Sequence, residues 1–311
     1  MTAKCLAIDI GATKIAIGIV NIEGQVESRV DIATQVSSQH ELNASLKEAI
    51  ENQISTSGST IDLVGIGSAG PIDLVKGAIN PVNIPAWRDF PLIDFVKQAA
   101  NTDKVLMVGD ASALSFAEFA VGAAKGFQNV LGVVVSTGIG GGTVIDGKHH
   151  IGFTGNASFI GHSIIEIDGP TCACGAKGCV EVFSSGPSMA KWAHANGLEM
   201  KSPDDFHEVA QQARNGNAIA LEAIRRGANA LAIGLTNAVA IIDLDAIVVG
   251  GGVMNAADVF WQPLEEAFNK HMRNLGFGRD CQILKAKLGS DSGLAGAGLV
   301  ALHAWHHAGA N

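Results

Sequence analysis

Four potential metal ligands are concentrated in one short stretch of the chain. Residues 161–186 read GHSIIEIDGPTCACGAKGCVEVFSSG and contain His162, Cys172, Cys174 and Cys179. One imidazole and three thiolates form the closed tetrahedral ligand set of a structural zinc ion. Because protein fills all four positions, no position remains for a zinc-bound water. The sequence therefore predicts a zinc ion that holds a loop in place and takes no direct part in chemistry.

The same cysteines have two other interpretations. Reduced thiols can be buried as small hydrophobic residues. Cysteines can also pair in disulfides, although five cysteines in 311 residues do not suggest a disulfide framework. The two remaining cysteines, Cys5 and Cys281, are distant in sequence from this stretch. We favour zinc, and a loop fixed by zinc would present both His162 and the nearby acidic residue Glu181.

The composition limits the class of protein. Hydrophobic residues make up 47% of the chain and charged residues 16%, which provides a sizeable core and argues against disorder. Acidic residues outnumber basic ones by 30 to 21, so no nucleic-acid partner is expected. No apolar run is long enough to cross a membrane, and the first predicted strand begins too early for a signal peptide. We expect a soluble cytoplasmic protein with no membrane partner.

Strands and helices alternate along the chain, and the pattern is repeated once. Strands are predicted over residues 4–10, 15–20, 26–33, 63–67, 105–110, 129–136, 143 onward, 246–249 and 282–286. Helices are predicted over residues 40–54, 111–124, 186–195, 203–215, 219–242 and 292–307, and a long loop over 68–91. AIDIGATK from Ala7 and VVSTGIGG from Val134 share the order strand, polar residue, glycine turn, strand. We interpret them as a weak internal repeat.

The repeat predicts two α/β domains that face each other across a cleft. The first domain is predicted to comprise residues 1–118, with a C-terminal helix over 292–311 packing back on it. The second is predicted to comprise residues 119–291 and to carry the zinc loop.

Two glycine turns each separate a pair of predicted strands, at residues 11–14 and 137–142. Glycines such as Gly11 and Gly138 let backbone N–H groups approach phosphate oxygens, and Thr13, Lys14 and Thr137 add donors. Ordinary tight hairpins use the same residues, so either turn alone is weak evidence. Strands, not helices, follow both turns, which excludes the Walker pattern and the dinucleotide fingerprint.

A third glycine cluster follows the strand at 246–249. Gly250, Gly251 and Gly252 permit a flat ring or a ribose to lie against the backbone, although a plain turn has the same composition.

Two carboxylates lie where open α/β sheets bind ligands, at the carboxyl ends of predicted strands. Asp9 and Asp110 can orient the metal of a nucleotide or accept the proton of a substrate hydroxyl. For Asp110 the alternative is a helix N-cap ahead of Ala111, and the two roles are compatible. Asn83, in the loop NPVNIPAW, can present an amide to sugar hydroxyls, but loop asparagines are more often turn formers.

Together these motifs resemble those of the ROK family of sugar kinases, within the actin/hexokinase-like superfamily. The similarity extends over essentially the whole chain. Its segments are DIGATK at Asp9, GIGSAGPI at Gly65, NPVNIPAW at Asn80, GDASA around Asp110, STGIGGG at Ser136, the GH…CxCGxxGCxE stretch from Gly161 and VVGGGV at Val248. The run from GH to CxE is the most specific of them.

The resemblance implies two actin/hexokinase-like (ribonuclease H-like) α/β domains around a central cleft, and a homodimer. It implies ATP-dependent phosphorylation of the 6-hydroxyl of a sugar, with Asp110 as the base. Gly70, Asn83, His162 and Glu181 would contact the sugar, while the glycine turns and Asp9 would hold ATP and Mg²⁺. The family also contains repressors, which carry a DNA-binding segment ahead of the first strand. Because the first strand begins at Lys4 and Asp110 is retained, we favour a kinase over a sugar sensor.

The sequence departs from the family pattern at positions that bear on which sugar is the substrate. Most members have an acidic residue three places before the zinc histidine, where this chain has Phe159, preceded by Ser158. An apolar residue there argues against glucose, and VSTGIGGG, FAEF and the GP before CxCG are similar to segments of the family's N-acetylmannosamine kinases. Phe159 would pack against an acetyl methyl or else face the core. Gly109 and Ser112 replace asparagines common beside the base, so we expect altered hydrogen bonds without loss of function.

Overall fold

A computed structural model describes residues 3–11, 13–36, 38–81, 84–275 and 280–308 of the chain. The chain divides into two compact units. The first contains Met1–Gly126, Gly142–Ala157 and Lys287–Asn311, and the second contains Phe127–Gly141 and Ser158–Ala286. Compared with the predicted domains, this division places residues 142–157 in the first unit. Among the described residues, no helix has the length and hydrophobicity needed to span a bilayer.

The predicted strands and helices are present, and the structure adds a helix over residues 92–100 that the sequence did not predict. The strands are β1 (Lys4–Ile10), β2 (Lys14–Asn21), β3 (Val26–Ala33), β4 (Val64–Ser68), β5 (Ile72–Asp73), β6 (Ala78–Ile79), β7 (Val105–Gly109), β8 (Val130–Val135), β9 (Ile139–Ile145), β10 (Lys148–His150), β11 (Ala246–Gly250) and β12 (Gln282–Lys285). The helices are α1 (Gln39–Thr56), α2 (Leu92–Ala100), α3 (Asp110–Ala120), α4 (Glu181–Ser184), α5 (Gly186–Ala195), α6 (Phe206–Arg214), α7 (Ala218–Ile242), α8 (Ala257–Asn274) and α9 (Ser292–Ala308). Short 3-10 helices cover Ile160–His162, Gly252–Ala256 and Gly289–Asp291.

The sheet of the first unit has the strand order β3-β2-β1-β4-β7. Strand β1 pairs antiparallel with β2 and parallel with β4. Both faces of β1 are covered, which explains why it reads as a continuous apolar run and not as an alternating one. Leu6 and Ile8 pack with the helices α1 and α2, whereas Cys5 and Ala7 pack with Leu294 of α9.

Helix α9 lies very close to the sheet and to α3. A Cβ atom at Gly65 of β4 would overlap the carbonyl oxygen of Ala297, and one at Gly296 would overlap that of Ala113. Glycine is therefore required at both positions, because only hydrogen fits between the two backbones.

The second five-stranded sheet has the order β10-β9-β8-β11-β12, in which β11 pairs parallel with both β8 and β12. The boundary between the two units falls within β9, after Gly141. The core of the second unit consists of β8 and β11 side chains packed with helices α5 to α8, including the fully buried Phe260 and Phe268.

The structure corrects two sequence predictions. The returning strand of the second hairpin begins at Ile139, not at Thr143, so three predicted turn glycines are strand residues. A Cβ at Gly141 would lie 2.6 Å from the carbonyl oxygen of Ser158, which explains a glycine inside this strand. The predicted loop over 68–91 also contains a small two-stranded sheet, β5 with β6.

Candidate functional site

The four predicted metal ligands converge in the second unit. The ligand atoms of His162, Cys172, Cys174 and Cys179 all lie within 4.8 Å of one another. The Nδ1 atom of His162 is 3.6 Å from the Sγ of Cys172, and the sulfurs of Cys174 and Cys179 are 3.7 Å apart. Around a tetrahedral zinc ion with Zn–S near ~2.3 Å and Zn–N near ~2.0 Å, these separations would be ~3.6 and ~3.8 Å. The cluster therefore fits a structural zinc ion.

The backbone brings the cysteines together through a tight turn. The N–H of Cys172 donates to the carbonyl of Ala176 at 2.8 Å, and the N–H of Gly175 donates to that of Cys172 at 3.0 Å. Gly178 has a φ of +69°, and a Cβ there would overlap the carbonyl oxygen of Glu166. Glycine at this position is thus a steric requirement of the loop. The backbone N–H of Ala176 lowers the pKa of the Cys174 thiol, which favours the thiolate that a metal binds.

Glu181, two residues beyond Cys179, lies over the glycine turn of the same unit. It is the first residue of α4, and its Oε2 accepts the backbone N–H of Ile139 at 2.7 Å. A Cβ at Gly138 would lie 2.8 Å from the same oxygen. This turn therefore uses one of its backbone donors to hold a carboxylate, so Gly138 and Thr137 lie beside an acidic group.

Phe159 stands next to the zinc histidine and does not face the core. Its ring stacks on His162 with centroids 6.0 Å apart and an angle of 15° between the planes. The side chain is 43% exposed, and the preceding residue Ser158 has a φ of +67°. Of the two alternatives for Phe159, the structure excludes a core position and leaves an accessible apolar face.

The three glycines at residues 250–252 form the link from β11 to the next helical turn. Gly251 has a φ of +95°, and a Cβ there would lie 2.5 Å from the carbonyl oxygen of Val135. Contact with the protein's own backbone is thus sufficient to explain Gly251. Gly250 ends β11 and Gly252 begins a 3-10 helix.

The first unit brings the two candidate carboxylates together. Asp9 lies on the same side of β1 as Cys5 and Ala7, and there it meets α9, because a Cβ at Gly293 would overlap its carboxylate. Burial, and then the nearby charge of Asp110, raise the pKa of Asp9 to about 7, against the smaller opposing effects of Arg29 and Lys14. Two carboxylates that share one site in this way are well suited to hold a cation.

Asp110 is the first residue of α3 and not the last residue of a strand. Its Oδ1 accepts the N–H of Ala111 at 2.7 Å, but the N-cap residue of α3 is Gly109 and no side chain caps the helix, so the predicted N-cap role of Asp110 is wrong. The residue is open to solvent on one side, but the protein around its other sides desolvates the carboxyl and raises its pKa, while the N–H of Ala111 lowers it. The arrangement leaves Oδ2 for a substrate.

The glycine turn of the first unit joins β1 to β2. The N–H of Gly11 donates to the carbonyl of Lys14 at 3.0 Å. The ammonium group of Lys14 pairs with Asp31 at 2.8 Å, and Thr13 is exposed. Gly70 is half-buried and follows β4, whereas Asn83 lies outside the described residues.

An ion-pair network and a hydrogen bond near these groups were not predicted from the sequence. Arg29 pairs with Asp31 at 2.7 Å and also with Asp291, and so joins β3 to the segment ahead of α9. Ser112, in the first turn of α3, is hydrogen-bonded to His149 of β10. No sequence motif predicts the contacts of Arg29 with Asp291 and of Ser112 with His149, because each joins residues far apart in sequence.

The zinc prediction is open to a direct test. We expect the purified protein to contain about one zinc per chain and to lose it, with a lower unfolding temperature, in Cys174→Ser. Cys281→Ser is the matched control, since Cys281 lies outside the cluster and should leave the zinc content unchanged. Metal analysis and thermal unfolding with and without a strong chelator measure both effects. A metal-free protein of unchanged stability in chelator would refute the assignment.

The raised pKa of Asp9 predicts a pH-dependent stability. Between its unfolded value near 4 and the folded value of about 7, the folded state binds the proton more tightly, so ionising this carboxyl lowers the free energy of unfolding as pH rises. We expect Asp9→Asn to gain stability relative to the parent on going from pH 5 to pH 8, measured by urea unfolding.

Asp31→Asn provides the contrasting control. Its hydrogen bond from Arg29 lowers the pKa of Asp31, so ionised Asp31 stabilises the fold and its loss should destabilise the protein at pH 8. If Asp9→Asn differs from the parent by the same free energy of unfolding at both pH values, the pKa of Asp9 is not raised in the folded protein.

Comparisons with known proteins agree with this arrangement. The ROK family model matches residues 5–304. The N-acetylmannosamine kinase of Haemophilus influenzae (strain PittGG) is 33% identical over 300 residues, which cover 94% of each chain. Both similarities extend over nearly the whole chain.

Solved structures give the same result. The ROK hexokinase of Thermus thermophilus superposes with a TM-score of 0.89 at 31% identity, covering 98% of this chain and 100% of that one. A ROK family glucokinase from Streptomyces griseus, in complex with glucose and AMPPNP, has a TM-score of 0.77 at 31% identity, with 95% and 98% covered. Sugar kinases of this family imply ATP and Mg²⁺ as cosubstrate and metal. The chain therefore belongs to the ROK family and is an ATP-dependent sugar kinase.

Proposed function

We propose that the protein transfers the terminal phosphoryl group of ATP to the 6-hydroxyl of N-acetylmannosamine. The observation that carries this choice of sugar is Phe159, whose accessible ring stacks on His162 where most of the family has an acid. An apolar face suits an acetyl methyl and offers no partner to a bare hydroxyl. The 33% identity to an N-acetylmannosamine kinase supports the same sugar. Glucose is the alternative, in view of the similarity to a glucokinase.

Asp110 is the proposed catalytic base. As the substrate hydroxyl attacks the terminal phosphorus of ATP, its proton passes to a carboxylate oxygen of Asp110, the bond from that phosphorus to the bridging oxygen breaks, and ADP leaves. The raised pKa of Asp110 brings its basicity closer to neutral pH, where general-base help is most effective. Because the ionised form is required, activity should fall as the pH drops through this pKa.

Asp9 and the glycine turns are the proposed binding groups for the nucleotide. Mg²⁺, when bound, would offset phosphate charge, and a nearby cation would also stabilise the ionised form of Asp9, whose pKa is raised. Phosphate oxygens would be bound by Gly11, Thr13 and Lys14. The ion pair with Asp31 already holds the Lys14 ammonium at this turn in the absence of nucleotide. In the second unit Thr137 and Gly138 would bind phosphate, and residues 250–252 the ribose or base.

The sugar is proposed to bind Glu181 and His162, together with Gly70 and Asn83. With Nδ1 of His162 facing the thiolates, its Nε2–H is left as a hydrogen-bond donor for a hydroxyl. Glu181 has one oxygen fixed by Ile139 and retains acceptor capacity for sugar hydroxyls. Zinc would act by holding the loop that carries both groups.

A homodimer is the proposed oligomeric state. The first unit exposes Val75 and Phe153 fully to solvent, and apolar residues of this size are commonly covered at protein interfaces.

Asp110→Asn tests the catalytic base. We expect kcat to fall by at least ~10²-fold with the KM of the sugar little changed, because the amide preserves the shape but cannot accept the proton. Asp103→Asn, at a fully exposed position of the same unit, is the control and should match the parent. A coupled assay of ADP release gives both constants. Turnover within a few fold of the parent would show that Asp110 is not the base.

The choice of sugar is tested by kcat/KM for N-acetylmannosamine, glucose, N-acetylglucosamine and fructose. Covering an acetyl methyl contributes about 1 kcal/mol, and an unpaired hydroxyl costs ~1–3 kcal/mol, so N-acetylmannosamine should exceed glucose by about 10- to 10³-fold. Phe159→Glu should reduce that preference, whereas Phe153→Glu, at an exposed position of the other unit, should not. A clear preference of the parent for glucose would overturn the proposed substrate and leave the kinase assignment intact.

A further inference from the structure

A partly buried hydrogen bond joins the first turn of α3 to β10. The Oγ of Ser112 lies 2.7 Å from the Nε2 of His149, and Ser112 follows Asp110 by two residues. Ser112 is only 9% exposed, so water competes little for this bond. Burial lowers the pKa of His149 to about 4, and the ring is therefore neutral at pH 7.

The ring of His149 contacts two successive turns of α3. It packs on Phe116 with centroids 5.2 Å apart, and Phe116 also meets His303 of α9 edge to face at 5.1 Å. Ser112 and Phe116 are four residues apart, so they lie on the same side of the helix. His149 thus binds one side of α3 through a polar contact and an aromatic contact.

A cavity borders the same imidazole. It has a volume of about 840 Å³ and is lined by His149, Phe116, Met107, Val108 and Val300, among others. Within the described part of the chain no side chain fills this space, so close packing does not hold the ring on that side. The orientation of His149 therefore depends on Ser112 and Phe116.

The hairpin that carries His149 also touches the helix start directly. A Cβ at Gly142 of β9 would overlap the Cα of Ser112 and lie 2.9 Å from the Oγ of Ser115. Asp110 is bonded to its own turn through Ala111. The direction of the Asp110 carboxylate therefore follows the position of this turn.

We propose that His149 is a positioning residue for the reaction, which fixes the first turn of α3 through Ser112 and thereby directs the Asp110 carboxylate. The inference rests on the proposed function, in which Asp110 accepts the proton of the sugar hydroxyl. Proton transfer depends steeply on the separation and angle of the two oxygens, whereas binding of the sugar by other groups does not. Loss of the contact should therefore lower kcat and leave KM nearly unchanged.

His149→Phe is the primary test. It keeps a ring against Phe116 and removes the Nε2 atom, and we expect kcat to fall about 10- to 100-fold while the KM values for sugar and ATP stay within about twofold. His149→Gln places an amide nitrogen near the original Nε2 position and should restore most of the rate. Ser112→Ala should give a loss similar to that of His149→Phe, and the double variant should be no worse than either alone.

His150→Phe is the matched control, because His150 is the next residue, is exposed and should leave both constants unchanged. Thermal unfolding of each variant separates positioning from folding. Should His149→Phe fail to fold, Ser112→Ala and His149→Gln provide the same comparison.

The outcomes separate this inference from the proposed function. If Asp110→Asn is inactive but His149→Phe and Ser112→Ala keep the parent kcat, the positioning role is wrong and the base stands. If kcat and the unfolding temperature fall together and His149→Gln restores neither, the contact is only structural and the inference is overturned. If Asp110→Asn retains full activity, the proposed function itself fails.

Discussion

The packing of α9 against β4 and α3 at backbone distance determines the chemistry of the first unit. Gly65 of β4 and Gly296 of α9 have no side chain, so the backbone of α9 comes into direct contact with the backbones of β4 and α3. This approach places the start of α9 directly against Asp9 and keeps α3, which begins with Asp110, on the same face of the sheet. A methyl group at either glycine would separate these layers, and overpacking of this kind costs about 1–3 kcal/mol before any effect on the site.

The resulting site stores unfavourable electrostatic energy. Asp9 is desolvated and lies near a second carboxylate, and its pKa rises to about 7. Arg29 and Lys14 offset part of this cost but are themselves occupied by Asp31. Carboxyl groups with strongly shifted pKa values are concentrated at functional sites, which supports the proposed roles of Asp9 and Asp110.

The second unit differs from the first in that its candidate polar groups lie on an irregular loop. The four potential zinc ligands lie together within residues 162–179, and Glu181 accepts the N–H of Ile139 beside the turn at Gly138. The same loop leaves Phe159 accessible beside His162. Under the proposed function, sugar recognition would depend on a segment that a bound zinc ion would hold in shape.

The sequence alone determined the order of most strands and helices, the four residues of the candidate metal cluster and the family. Apolar runs, glycine turns and ligand spacing are local patterns, and local patterns can be recognised from the sequence without a structure. The start of β9 at Ile139 was mispredicted because Gly141 and Gly142 are required by close contacts with Ser158 and with Ser112, and not by a turn. Only the tertiary structure decided that Phe159 is accessible, that Asp9 and Asp110 interact, and that His149 reaches Ser112 across 37 residues. Each of these depends on packing that brings together residues distant in the chain, and no periodicity of the sequence predicts which distant residues come into contact.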